Sequence, residues 1–155
     1  MLSKKLLDEL NLQIRYEWES AHYYMAMAAY LDSEDLPGFA HFFKIQVEEE
    51  RFHAEKFYNY VNEMDGTVKV TSLDLKEDEF TSPLDVFEKA LEHEKFVTSR
   101  IYHLMDIAME EKEHATISML KWFVDEQVEE ENSMKEKINK LKRIENNSNA
   151  LYQMD

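Results

Sequence analysis

Only two glycines and two prolines interrupt this 155-residue chain, where an average chain has roughly 7% Gly and 5% Pro. With 44% hydrophobic residues, the chain has enough apolar matter to build a core and little that could end a helix. Long helices are therefore expected, and disorder is not. The breakers sit among polar clusters and mark the joints. Pro37 and Gly38 follow a run of acids from Asp32 to Asp35, Gly66 follows Asp65, and Pro83 follows Ser82. Ser82 reads as an N-cap with proline at the first helical position. This spacing predicts helices over about 3–32, 37–64 and from 83 onward.

The last joint carries no breaker and has to be found from phase. The third segment's apolar seam runs Leu84, Phe87, Leu91, Glu94, Ile101, Met105, Ala108, and continued by sevens it would reach Ala115 and Trp122. The seam that follows is instead Ile117, Leu120, Val124, Gln127, Met134, Leu141. A shift of two residues predicts a break near 110–113, giving helices over 83–110 and 114–144. One uninterrupted helix is the alternative, and it would be unusually long for a small globular protein.

Each helix then spans about 42–46 Å at 1.5 Å per residue. Four rods of equal length favour a bundle. Short links make the first and second helices antiparallel, and likewise the third and fourth. Residues 65–82 could reach about 60 Å when extended, enough for an end-to-end crossover that makes the second and third helices parallel. The fold class is therefore all-α: a four-helix bundle over 1–145 with one long crossover between helices two and three. Residues 146–155 read as a loop and the start of a short C-terminal helix.

The charge narrows the partners. Lys and Arg total 18 and Asp and Glu 33, a formal net charge of −15. Such a chain is a poor ligand for nucleic acid or anionic membranes and is suited to attracting cations. The absence of Cys removes thiolate-ligated metals and thiol catalysis. The longest apolar run, Tyr23 to Leu31, is about half the length of a membrane span, and no apolar leader follows Met1, so the expected compartment is the cytoplasm.

The informative residues are polar ones in the seams. The first helix places Glu17 between Ile14 and Ala21. The second places Glu50 and His53 between Gln46 and Phe57, the third Glu94 beyond Leu91, and the fourth Gln127 and Glu130 between Val124 and Met134. Each lies at mid-length of its own helix, so in a bundle of equal rods all converge on one interior layer. Buried carboxylates without a partner are very costly, and no Lys or Arg stands at these seam positions. Bound divalent cations would neutralise them. Glu50 and His53 have the Glu-x-x-His spacing of dimetal sites. A mixed carboxylate and imidazole set suits iron or manganese with oxygen chemistry better than structural zinc.

These residues, with Tyr24 and the run from Trp122 to Glu130, resemble bacterial non-haem ferritins over essentially the whole chain. The resemblance implies an iron-storage protein with ferroxidase activity. Glu17, Glu50 and His53 would hold one iron, with Glu50 bridging, and Glu94 and Glu130 the second. Gln127 would lie beside the oxygen-binding position. Glu49, Glu126, Glu129 and Glu130 would form a third iron site, and Tyr24 and Trp122 would be aromatic neighbours of the centre. It implies two irons per subunit plus that third, no haem, Fe(II) and O2 or H2O2 as reactants, and a homo-oligomeric shell of 24 subunits. The alternative is a non-storage dimetal oxidoreductase, rubrerythrin-like or bacterioferritin-like. Those relatives repeat Glu-x-x-His on the fourth helix, where this chain has Gln127 and Glu130. A bundle with a purely structural role is the third and weakest reading.

Of the six histidines only His53 is expected to be a ligand. His22, His41, His93, His103 and His114 fall off the seams and are expected at the surface or its boundary. A second stripe on the first helix, Tyr16, Tyr23, Met27 and Tyr30, reads as a wide core face, with a subunit contact as the alternative.

Overall fold

The computed structural model describes residues 1–144 and 146–155, and the expected bundle boundary at 145 falls on the one residue outside that description. The elements are α1 (Lys4–Ser33), α2 (Pro37–Glu63), α3 (Pro83–Glu110), α4 (His114–Arg143) and α5 (Ser148–Met154), with no strand among the described residues. The joint read from phase alone is present: α3 stops at Glu110 and α4 starts at His114.

Three of the joints end their helices in the same way. Asp35, Asp65 and Lys112 each take a positive φ, between 55° and 60°. The amide after each reaches back to close the helix: Leu36 donates to the Leu31 carbonyl, Gly66 to Val61 and Glu113 to Ala108, at 2.9–3.0 Å. This is the Schellman ending, made here without glycine at the left-handed position. Lys112 carries the steric penalty of that position, roughly 1–2 kcal/mol, which explains why no breaker flagged the joint. Ser3 and Ser82 cap α1 and α3 through their hydroxyls, accepting from Leu6 N and Asp85 N.

The crossover is pinned to α1 along its length. Asn11 donates to the Thr67 carbonyl and accepts from Lys69 N, Glu19 accepts from Asp74 N, and the Tyr23 hydroxyl donates to Asp78. Residues 67 to 78 thus run beside residues 11 to 23 in the same direction. α2 and α3 begin at the same end, with the Phe39 and Phe87 rings 5.7 Å apart, so they are parallel as the loop length predicts.

The apolar core is not continuous. One half gathers Ala28, Leu31, Phe39, Phe43, Phe87, Met134 and Leu141, and the other Leu6, Leu10, Phe57, Val61, Ile101, Leu104, Leu120 and Phe123. Between them lies a buried polar layer at mid-bundle. Tyr23 and Met27 are buried and Tyr16 and Tyr30 half-buried, and Phe80 of the crossover packs on the rings of Tyr23 and Tyr30. The second stripe of α1 is a core face.

Candidate metal centre

Glu17 of α1, Glu50 and His53 of α2, Glu94 of α3, and Gln127 and Glu130 of α4 are all buried in the polar layer. Glu17, Glu50 and Glu94 are at most 1% exposed, and no Lys or Arg among the described residues pairs with them or with Glu130. His53 Nδ1 lies 3.7 Å from Glu17 Oε2 and 3.4 Å from Glu50 Oε2. These three atoms are buried and have no hydrogen-bond partner. Uncompensated burial of such atoms is strongly unfavourable, and three facing ligand atoms of this kind could hold a cation.

Potential ligand atoms fall into three groups, each within 4.8 Å: Glu17, Glu50 and His53; Glu50, Glu94 and Glu130; and Glu49, Glu126 and Glu130. Glu50 is common to the first two and Glu130 to the last two, so the groups form a chain. Glu126 is half-buried, its Oε1 4.0 Å from His53 Nε2. Glu129, expected beside them, is exposed and contributes to none of the groups. Its neighbour Glu130 takes the inward direction, and one residue along a helix turns a side chain about 100° away.

The other acids are held by neutral donors. Gln13 donates to Glu17 Oε1 at 3.0 Å and Gln46 to Glu130 Oε2 at 2.7 Å. The hydroxyl of buried Tyr24 donates to Glu94 Oε1. Gln127 turns its amide nitrogen to Glu94 Oε2 at 3.0 Å, so it stands as a donor to that carboxylate. From the sequence Gln13 has no role and Gln46 only a seam position, although each lies four residues before a seam Glu on the same helix face.

Electrostatics follow from crowding. Burial first, and then the Glu17 and Glu94 carboxylates, push Glu50 well above the usual carboxyl range. Burial and Glu94 raise Glu130 to about 9 even though Gln46 opposes the shift. Burial raises Glu94 to about 7, with Tyr24 and Gln127 holding it down. Glu17 goes the other way: burial opposes its ionisation, but the adjacent His53 and Glu50 outweigh it and lower its pKa. His53 is disfavoured as a cation by burial, yet the Glu17 carboxylate raises its pKa. Without metal, the layer therefore favours the protonated forms of Glu50 and Glu130.

His93 corrects an expectation. It is 8% exposed, with Nε2 2.7 Å from Ser20 Oγ. The Ser20 hydroxyl also lies 2.8 Å from the Tyr16 carbonyl, which ties the imidazole to the backbone of α1. The rings of Tyr23, Tyr24 and Phe96 surround it at 5.2–6.2 Å. Burial, and then Lys76, lower its pKa to about 4. It joins none of the ligand groups. His22, His41, His103 and His114 are exposed, as expected. Trp122 lies edge-on to His53 at 5.5 Å, and Lys56 Nζ stands 3.9 Å from the centroid of the Trp122 ring.

Comparison with known proteins agrees with this geometry. The family model of the ferritin-like domain matches residues 7–144. The chain belongs to the ferritin family. A bacterial non-heme ferritin of Staphylococcus aureus is 49% identical over 152 residues, covering 98% of this chain and 92% of that protein. The one from Staphylococcus saprophyticus is 47% identical, at 98% and 91% coverage. Among solved structures, an open pore ferritin from Archaeoglobus fulgidus superposes with a TM-score of 0.97 at 42% identity, covering 99% of this chain and 95% of that one. A Chlorobium tepidum ferritin gives 0.92 at 36%, with 100% and 95% coverage. The function of this ferritin is iron storage, and the non-storage oxidoreductase reading is not favoured. No helix among the described residues is long and apolar enough to cross a membrane.

Proposed function

We propose that this chain is a ferroxidase, oxidising Fe(II) with O2 inside the bundle and storing the ferric product in a shell of 24 copies in the cytoplasm. Iron is the substrate and cargo. Glu17, Glu50 and His53 bind one ion, Glu94 and Glu130 the second, and Glu50 bridges them. Glu49, Glu126 and Glu130 bind a third ion on its way to or from the pair. The observation that carries this reading is the trio of unpartnered buried donors, Glu17 Oε2, Glu50 Oε2 and His53 Nδ1.

Each Fe(II) gives up one electron, so a pair delivers two to one O2, and the reduced oxygen takes up protons. This chain's part is to hold the two ions close, exclude bulk water with the apolar halves above and below, and exchange protons for cations at Glu50 and Glu130. Tyr24 donates to Glu94 from the apolar side and fixes that carboxylate's direction. Stopped-flow absorbance on adding Fe(II) to the assembled protein tests the reading, with size-exclusion chromatography to separate a shell from a small oligomer. A fast oxidation phase that Glu50→Ala with His53→Ala abolishes supports it. An unchanged fast phase in that variant places the chemistry elsewhere.

A further inference from the structure

Three acceptors surround one end of the Gln127 side chain. Glu94 Oε2 lies 3.0 Å from its Nε2, Thr98 Oγ1 3.1 Å and the Glu94 carbonyl 3.2 Å. Two of the three, the carbonyl and the ionised form of the carboxylate, can only accept. Thr98 decides the third. Its hydroxyl has a single hydrogen, and the two acceptors within reach are Glu131 Oε2 at 2.6 Å and the Glu94 carbonyl at 3.0 Å. Whichever receives the hydrogen, the hydroxyl presents lone pairs to Gln127. A reversed amide would set its oxygen against the carbonyl and the lone pairs of Thr98, so the hydrogen-bond network fixes the orientation.

We propose that Thr98, its hydroxyl drawn outward by Glu131, is a positioning residue of the dimetal centre that locks Gln127 as a hydrogen-bond donor to Glu94 rather than a metal ligand. This rests on the dimetal reading above and adds two residues to it. Glu131 is suited to the task. Its side chain is 18% exposed and 3.8 Å from Lys135, so it sits at the edge of the layer and anchors the chain Glu131, Thr98, Gln127, Glu94 from outside. The locked amide leaves the Glu94 carboxylate one fixed face toward Glu50 and Glu130. Freed, the amide could swing its oxygen toward the cation and release Glu94. The lock acts on the group containing Glu94 and does not touch the one containing His53.

The test is Co2+ titration of the assembled protein, followed by visible absorption, with anomalous scattering from soaked crystals to assign each site. Thr98→Val and Thr98→Ala remove the hydroxyl, and the alanine variant stands in should the valine methyl not be tolerated. Both should weaken Co2+ at the Glu94 and Glu130 site by about 10–100-fold, the usual effect of losing an outer-shell partner, and leave the Glu17 and His53 site unchanged. Thr98→Ser should restore wild-type binding. Wild-type affinity at both sites in the hydroxyl-free variants, or a serine variant as weak as alanine, would overturn the proposal alone. Equal weakening of both sites would also overturn it, showing a packing role. Failure of wild type to bind Co2+ at these two sites would overturn the dimetal reading and this one with it.

Discussion

His53 Nδ1 stands 3.4 Å from Glu50 Oε2, and neither atom has a hydrogen-bond partner. The contact gains little in the metal-free protein, because burial, and then Glu17 and Glu94, favour the protonated form of Glu50. Glutamine is close to a neutral isostere of that form. Glu50→Gln exchanges one neutral polar group for another of the same shape, with the same oxygen left unpartnered, and should therefore change metal-free stability at pH 7 by less than about 1 kcal/mol. It should also remove the shared ligand of two sites. In wild type, Zn2+ at one hundred times its Kd should add about 2.7 kcal/mol. Melting curves with and without Zn2+ check this. A shift of wild-type size in Glu50→Gln would contradict the bridging assignment.

The third group predicts a graded series. Glu49 and Glu126 each offer an oxygen to it, whereas Glu129 is exposed and outside it. Glu49→Ala and Glu126→Ala should leave the first fast oxidation in place and alter turnover on a second addition of Fe(II). Glu129→Ala should do so less than either. Repeated Fe(II) additions followed by absorbance would show the order, and an effect of Glu129→Ala larger than that of Glu126→Ala would displace the site outward.

A different prediction comes from the far end of the chain. α2 has no side-chain cap of its own at Leu36. Asp155 supplies one from a distance, its Oδ1 accepting from Phe39 N at 2.7 Å. This needs Gly38, where an added Cβ would sit 1.8 Å from the Asp155 main-chain oxygen. Gly38→Ala should push the end of α5 away and lose a cap worth about 1 kcal/mol, while gaining roughly 0.5–1 kcal/mol of helix propensity. The two nearly offset, so the melting temperature is a poor reporter. Hydrogen exchange at 148–155 is a good one, and protection there should fall while the four long helices keep theirs. Unchanged protection would mean that the cap is not what docks α5.

The sequence made the bundle and the main centre legible because two periodicities coincide. Breakers and phase set four equal helices, and mid-helix acids on apolar seams can meet only in one layer. Glu17, Glu50, His53, Glu94 and Glu130 follow from that convergence, and the fold buries all five in one layer. What was missed has a common cause: position relative to a seam says nothing about what covers a neighbouring face. His93 lies one residue off the seam, yet Tyr23, Tyr24 and Phe96 enclose it. Thr98 and Glu131 are half-buried, and their role depends on a cross-helix contact at 2.6 Å that no period of 3.6 encodes. Lys112 adopts a left-handed backbone that residue type argues against.

The crowded acids make stability depend on pH in opposite directions with and without metal. Glu94 at about 7 and Glu130 at about 9 lie above their unfolded values near 4.5, and Glu50 is raised too. For such acids the folded state binds more protons than the unfolded one between the two pKa values. Metal-free stability should then fall as pH rises from about 4.5 toward 9. His53, raised by Glu17, adds to that loss above its ordinary value of 6.5. His93 acts in the other direction: lowered to about 4, it removes stability as pH falls from 6.5 to 4, as does Glu17 below its ordinary 4.5. The metal-free optimum should consequently lie on the acid side of neutral. Cations need ionised oxygens and a neutral imidazole, so metal-bound stability should instead climb through the range where the metal-free protein weakens. Binding Zn2+ at pH 7 should expel a proton from Glu130 and part of one from Glu94, and the raised Glu50 adds to the release. Calorimetry in two buffers of different ionisation enthalpy should record a release of more than one proton per subunit, shrinking as pH approaches 9. A release near zero at pH 7 would mean that these carboxyls are already ionised before metal arrives, and that the unpartnered oxygen of Glu50 is held by something other than a proton.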